Sequence, residues 1–178
     1  MSIKQLSATY DSKEDRVMFR LTTKDENEFR LWLTRSIVRN ILALAKHASV
    51  TELEKTHPLA HARDISEFNQ QLKNSNATFT DFEPAPNHPL GETPVLVEKA
   101  EIKFSPPNAY VLELQLSKAK ILKLPLNDEL NSQLRLVLEK IAEHAAWNIQ
   151  PIDINESKSG QAPSVAQSSS SDQQKLLH

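Results

Sequence analysis

The chain has 178 residues, 39% hydrophobic and 25% charged, with 21 Lys and Arg against 23 Asp and Glu. That is enough for one ordinary core or two very small ones, and it gives no overall attraction to nucleic acid or to an anionic membrane. No cysteine and only 2 Gly exclude disulfides, thiolate catalysis, Cys-ligated metals and the Gly-rich loops of P-loop and Rossmann enzymes.

The opening MSIKQLSATYD has no basic stretch followed by an apolar run, and no apolar run is long enough to span a bilayer, so a cytoplasmic protein is expected. Leu6, Ala8 and Tyr10 read as a first strand, followed by the turn-like DSKED. Val17, Phe19 and Leu21, then Phe29, Leu31 and Leu33, alternate with polar or outward residues and read as the two strands of a hairpin joined by TKDENE. From Ile37 the period becomes helical through Ile41, Leu44, Ala45 and Ala48, with Thr34 or Ser36 as cap and Lys46 and His47 near the C-terminal end. Residues 1–50 thus form a first β-β-β-α unit.

Residues 51–94 read as a helical insert and a Pro-rich linker. TELE offers a Thr cap with Glu54 three residues on, Pro58 interrupts or starts a turn, and Ile65, Phe68 and Leu72 fit one helical face. Pro84, Pro86, Pro89, Gly91 and Pro94 then punctuate a polar linker. Residues 95–151 repeat the first order: Ile102 and Phe104, Leu112 to Leu116, Leu122 to Leu126, then a helix capped by Asn127 and carrying Leu130, Leu134, Val137, Leu138 and Ile141. A shift of 93 positions places Phe29, Leu31 and Leu33 on Leu122, Leu124 and Leu126, and Thr34 on Asn127. Strand, turn, strand, cap and helix in register point to an internal duplication. The fold class expected is α+β, two tandem β-β-β-α units packed as a pseudo-twofold domain. Residues 152–178 form a Ser/Gln-rich tail expected to be disordered.

The outward positions of the first hairpin are Met18, Arg20, Arg30 and Trp32, with Arg35 and Arg39 near the helix start and Lys118, Lys120 and Lys123 in the second unit. An indole flanked by guanidinium groups suits a protein interface, where Trp and Arg are enriched, or a single nucleic-acid strand, where bases stack and phosphates pair. Arg20, Arg30, Trp32, Arg35 and Arg39 are therefore the expected binding residues. His57 and His61 lie four apart with Glu54 and Asp64 nearby, but Pro58 falls inside the spacing and no HExxH order is present, so no metal is assigned. No nucleophile with a base and no paired acids in apolar surroundings stand out; neither an enzyme nor a cofactor is expected.

The segment EFRLWLTR, Glu28 to Arg35, preceded by DRVMFRL and followed by SIVRNIL, resembles a pattern in small uncharacterised bacterial proteins, which implies a bacterial host and a cytoplasmic protein. In layout, tandem units of strands followed by one helix are similar to Pur and Whirly-type single-strand-binding proteins, although those units carry four strands. Together these readings give a non-enzymatic interaction or scaffold protein whose first hairpin meets a protein partner or a second copy, with single-strand nucleic-acid binding as the alternative.

Overall fold

The computed structural model describes residues 2–77, 80–105 and 109–149; the Ser/Gln-rich tail and the side chain of Lys118 lie outside them. In chain order the elements are β1 Ile3–Asp11, β2 Arg16–Thr23, β3 Glu28–Thr34, α1 Arg35–Glu54, α2 Leu59–Asn76, β4 Val95–Ser105, β5 Ala109–Leu116, β6 Lys120–Leu126 and α3 Asp128–His144. The protein is α+β, and the described residues form six strands in one sheet in the order β1-β2-β3-β4-β5-β6 and three α-helices.

The hairpin alternation sets the register: Val17 pairs with Leu33, Phe19 with Leu31 and Leu21 with Phe29, all inward and buried. In the second meander Leu112 pairs with Leu124 and Leu114 with Leu122. The two meanders join through a short parallel seam, Leu31 beside Val95 and Trp32 beside Leu96. At the far edge Pro125 sits within β6 opposite Val111, where a residue without an N–H is tolerated. The first residues of β1 and the end of β6 line a common cleft of about 290 Å³ with the start of α3, so the sheet curls.

Thr34 and Asn127 accept from the amides of Ile37 and Leu130 and cap α1 and α3. Each helix then crosses to the other half of the sheet: α1 packs on β4, α3 on β1, and the two helices touch each other. Asn40 of α1 donates to the Ala100 carbonyl on β4 at 2.9 Å, and Asn131 of α3 donates to the Ala45 carbonyl and Ser49 hydroxyl of α1. One apolar cluster, from Val17 through Leu138 to Trp147, fills the space between sheet and helices.

Two elements differ from their expected extent. β4 begins at Val95, well before Ile102, because a bulge between Val97 and Lys99 puts Val97 and Ala100 on the same inner face and breaks the period of two. TELE does not start a new helix; with Val50 buried and no breaker before Lys55, α1 runs on to Glu54, so residue 50 lies inside a helix.

Beyond the C-cap of α3, Ala146 has φ 53, and here the Trp147 amide donates back to the Ala142 carbonyl and the Ala146 amide to the Glu143 carbonyl, the hydrogen-bond pattern that usually recruits glycine. The reversal tucks Trp147 inward, where its Nε1 donates to Asp15 Oδ1 at 2.7 Å and its ring meets Tyr10 edge-on at 5.7 Å. Tyr10 donates to the same oxygen at 2.7 Å, pinning the end of α3 to the β1–β2 turn. Ala146→Gly should stabilise the protein by about 1 kcal/mol by removing the left-handed strain. Thermal unfolding checks this, and an unchanged or lower midpoint would contradict it.

Candidate functional site

Arg20, Arg30 and Trp32 stand together on the sheet face turned away from the helices, since the ladder pairs Arg20 with Arg30 and Met18 with Trp32. Around Arg20 and Arg30 that face is occupied by the chain itself. Residues 80–92, expected as a linker, cross it as an extended strap whose prolines fix the backbone and supply no competing donors.

At β1, Gln5 donates to the Thr80 hydroxyl and the Asp81 carbonyl and accepts from the Glu83 amide, while Lys4 pairs with Glu83 at 2.7 Å. At β2, the Arg20 guanidinium lies 4.2 Å from the centre of the Phe82 ring. At β3, the Ala85 amide donates to Glu28 at 3.1 Å, the Glu28 amide donates to the Asn87 carbonyl at 2.7 Å, and Arg30 donates to the Glu92 carbonyl at 3.1 Å. The strap turns over Gly91, whose φ of 93 suits a residue without a Cβ.

Glu28 is wholly buried under the strap and accepts from Arg30 Nε at 2.7 Å. Burial pushes its carboxyl up, but the Arg30 hydrogen bond, the Ala85 amide and the charges of Arg30 and His88 outweigh that and hold it below the ordinary range. Trp32 is half-buried at the seam, with the Arg16 guanidinium 4.1 Å from its ring centre. Arg35 and Arg39 lie apart from this group, on α1 and across the sheet. Arg35 donates to the Asn148 carbonyl at 3.4 Å, and Arg39 borders a cleft of about 510 Å³ between the helices. In that cleft Lys46 of α1 pairs with Glu67 of α2, and the buried Arg135 pairs with Glu139 one turn further along α3.

On the outer face of the second half, Glu113 is buried between Lys103, at 2.5 Å, and Lys123, at 3.0 Å. Their hydrogen bonds, that from Lys103 first, hold its carboxyl below the ordinary range. His57 falls in the turn before Pro58, the N-cap of α2, so it does not share a helical face with His61. Among the described residues no group of three or more His, Asp or Glu is placed to hold a metal, and no helix is long and apolar enough to cross a membrane.

The feature that the sequence reading missed is the orientation of α2. Ile65, Phe68 and Leu72 do share one face, but it points away from the protein: Phe68 is 60% exposed, Leu72 46%, and Ile65 half-buried. The helix buries its small and polar side instead, through Ala62, Ser66 and Gln70. Gln70 donates to the Ser132 carbonyl, Asn74 to Glu139, and Lys73 to Asp128 and Ser132. The apolar stripe continues into a groove of about 590 Å³ bordered by Leu6, Leu72, Leu136 and Val137.

No family model matches the chain, and neither a curated protein nor a solved structure matches it.

Proposed function

We propose that this is a non-enzymatic interaction protein that meets a protein partner through the outward face of α2. The exposed apolar stripe of Ile65, Phe68 and Leu72 carries the reading: large apolar side chains aligned on one helical face and running into a groove are what a partner helix or surface covers. A duplicated β-β-β-α module with pseudo-twofold symmetry fits the scaffold role. Its support is the matching caps Thr34 and Asn127 and the reciprocal crossing of α1 to β4 and α3 to β1. A twofold that carries the β3–β4 seam onto the gap between β1 and β6 also accounts for the curl.

The first hairpin contributes differently from the surface its sequence suggests. Arg20 and Arg30 are held by Phe82 and Glu92 of the strap, so a nucleic acid or protein reaching them must first displace residues 80–92. Affinity capture comparing the native chain with Phe68→Asp tests the α2 reading. A protein contact, to itself or to another protein, is expected to be lost in the variant while its melting temperature is retained, because Phe68 is solvent-facing. Identical recovery from both chains would overturn it.

A further inference from the structure

Arg135 lies in the leucine-rich run of α3 and is only 7% exposed. A guanidinium carries a fan of N–H donors, and burying one is costly unless acceptors surround it. Arg135 has a single ion-pair partner among the described residues, Glu139 Oε1, 3.5 Å from its Nε, at the outer limit of a hydrogen bond. The carboxylates that could complete its shell are engaged elsewhere: Glu67 accepts from Lys46 at 2.6 Å, and the second oxygen of Glu139 accepts from Asn74 at 3.2 Å. Burial accordingly draws the guanidinium below its ordinary value, and the attraction of Glu139 and Glu67 does not make up the difference.

Arg135 lines the cleft of about 510 Å³ between the helices, a volume within the range of roughly 300–1,000 Å³ that small-molecule sites occupy. Leu42, Ala43, Ala142 and Trp147 give the cleft an apolar lining, and the exposed Arg39 borders it without an ion pair or hydrogen bond among the described residues. The cations Arg39, Lys46 and Arg135 are matched in number by Glu67, Glu139 and Glu143, so the cleft has no excess positive charge with which to hold a dianion. We infer that it binds a small organic monocarboxylate with an apolar body, the carboxylate paired with the Arg135 guanidinium and the body against Leu42, Ala142 and Trp147. The fork of a guanidinium matches both oxygens of a carboxylate, and a partly buried pair is screened less than one in open water. Arg39 adds a second cation toward which the anion is drawn. None of Ile65, Phe68 and Leu72 borders the cleft, so this site stands apart from the reading of α2 as a docking face.

The test is calorimetric titration of the full chain with phenylacetate, with phenylacetamide supplying the same body without the charge and acetate the charge without the body. Phenylacetate is expected to bind saturably, one molecule per chain, and each control about tenfold more weakly or worse, because one lacks the charge-assisted pair and the other the apolar burial. Arg135→Lys keeps the charge and loses the fork, and should weaken phenylacetate by about tenfold. The chain has two Trp residues, so their indole N–H resonances report the place: that of Trp147 should move during the titration, and that of Trp32, on the sheet face turned away from the helices, should stay. The assignment is overturned by an absence of saturable binding, by equal affinity for phenylacetate and phenylacetamide, by native affinity in the Arg135→Lys chain, or by a shift confined to Trp32. If Arg135→Lys does not fold, the comparison of acid and amide on the native chain decides alone.

Discussion

Residues 1–94 produced alone should show no cooperative thermal transition, and mixing them with residues 95–149 should restore one. The helix that follows the first three strands does not close over them. It packs mainly on β4, where Asn40 holds the Ala100 carbonyl, and β1 with Leu6, Ala8 and Tyr10 is packed by α3 from the other end of the chain. Removing the second half therefore strips the partner from both surfaces at once, along with the Asp15 contact to Trp147. A unit of this size has little margin to absorb such a loss. Circular dichroism against temperature decides the matter, and a sigmoidal transition in the isolated first half would sink the account of crossed helices.

Glu28→Ala should cost about 3 kcal/mol, because removing one member of a buried ion pair also leaves the Ala85 amide without its acceptor and loosens the strap. The effect should depend on pH in a stated direction. The Glu28 carboxyl is held below its unfolded value, so its stabilisation is fully present above the unfolded carboxylate pKa of about 4.3 and is lost as pH falls through the folded value. The gap in melting temperature between native and variant chains should accordingly be wide near neutrality and narrow in acid. Glu28→Gln, which keeps the shape and loses the charge, should fall between them. A gap that does not change with pH would mean that packing, and not the pairing with Arg30, is what Glu28 supplies.

Local physics made much of this fold legible. Strict alternation in β2, β3, β5 and β6 fixed both the strands and their inward faces, and Thr34 and Asn127 marked the helix starts because a side-chain acceptor there satisfies an otherwise open amide. What escaped had non-local causes. The bulge at Val97 hid half of β4, and the polar strap looked like a linker because its anchors, Gln5, Arg20, Glu28 and Arg30, lie far away in sequence. The face of α2 was the deepest ambiguity. An apolar stripe is ordinarily the buried one, yet Gln70, Lys73 and Asn74 find hydrogen-bond partners on α3 that make the polar side the inner side. Of the candidate site, the grouping of Arg20, Arg30 and Trp32 on one face was readable, and the capture of Arg20 and Arg30 by residues 80–92 was not.

Pro125 bears on how copies of this chain can gather. An open sheet edge is a template on which another strand can be laid, and repeated addition leads to fibres. β6 interrupts its edge with a residue that presents no N–H and flanks it with Lys120 and Lys123. Growth strand upon strand is thus discouraged at the β6 end of the sheet.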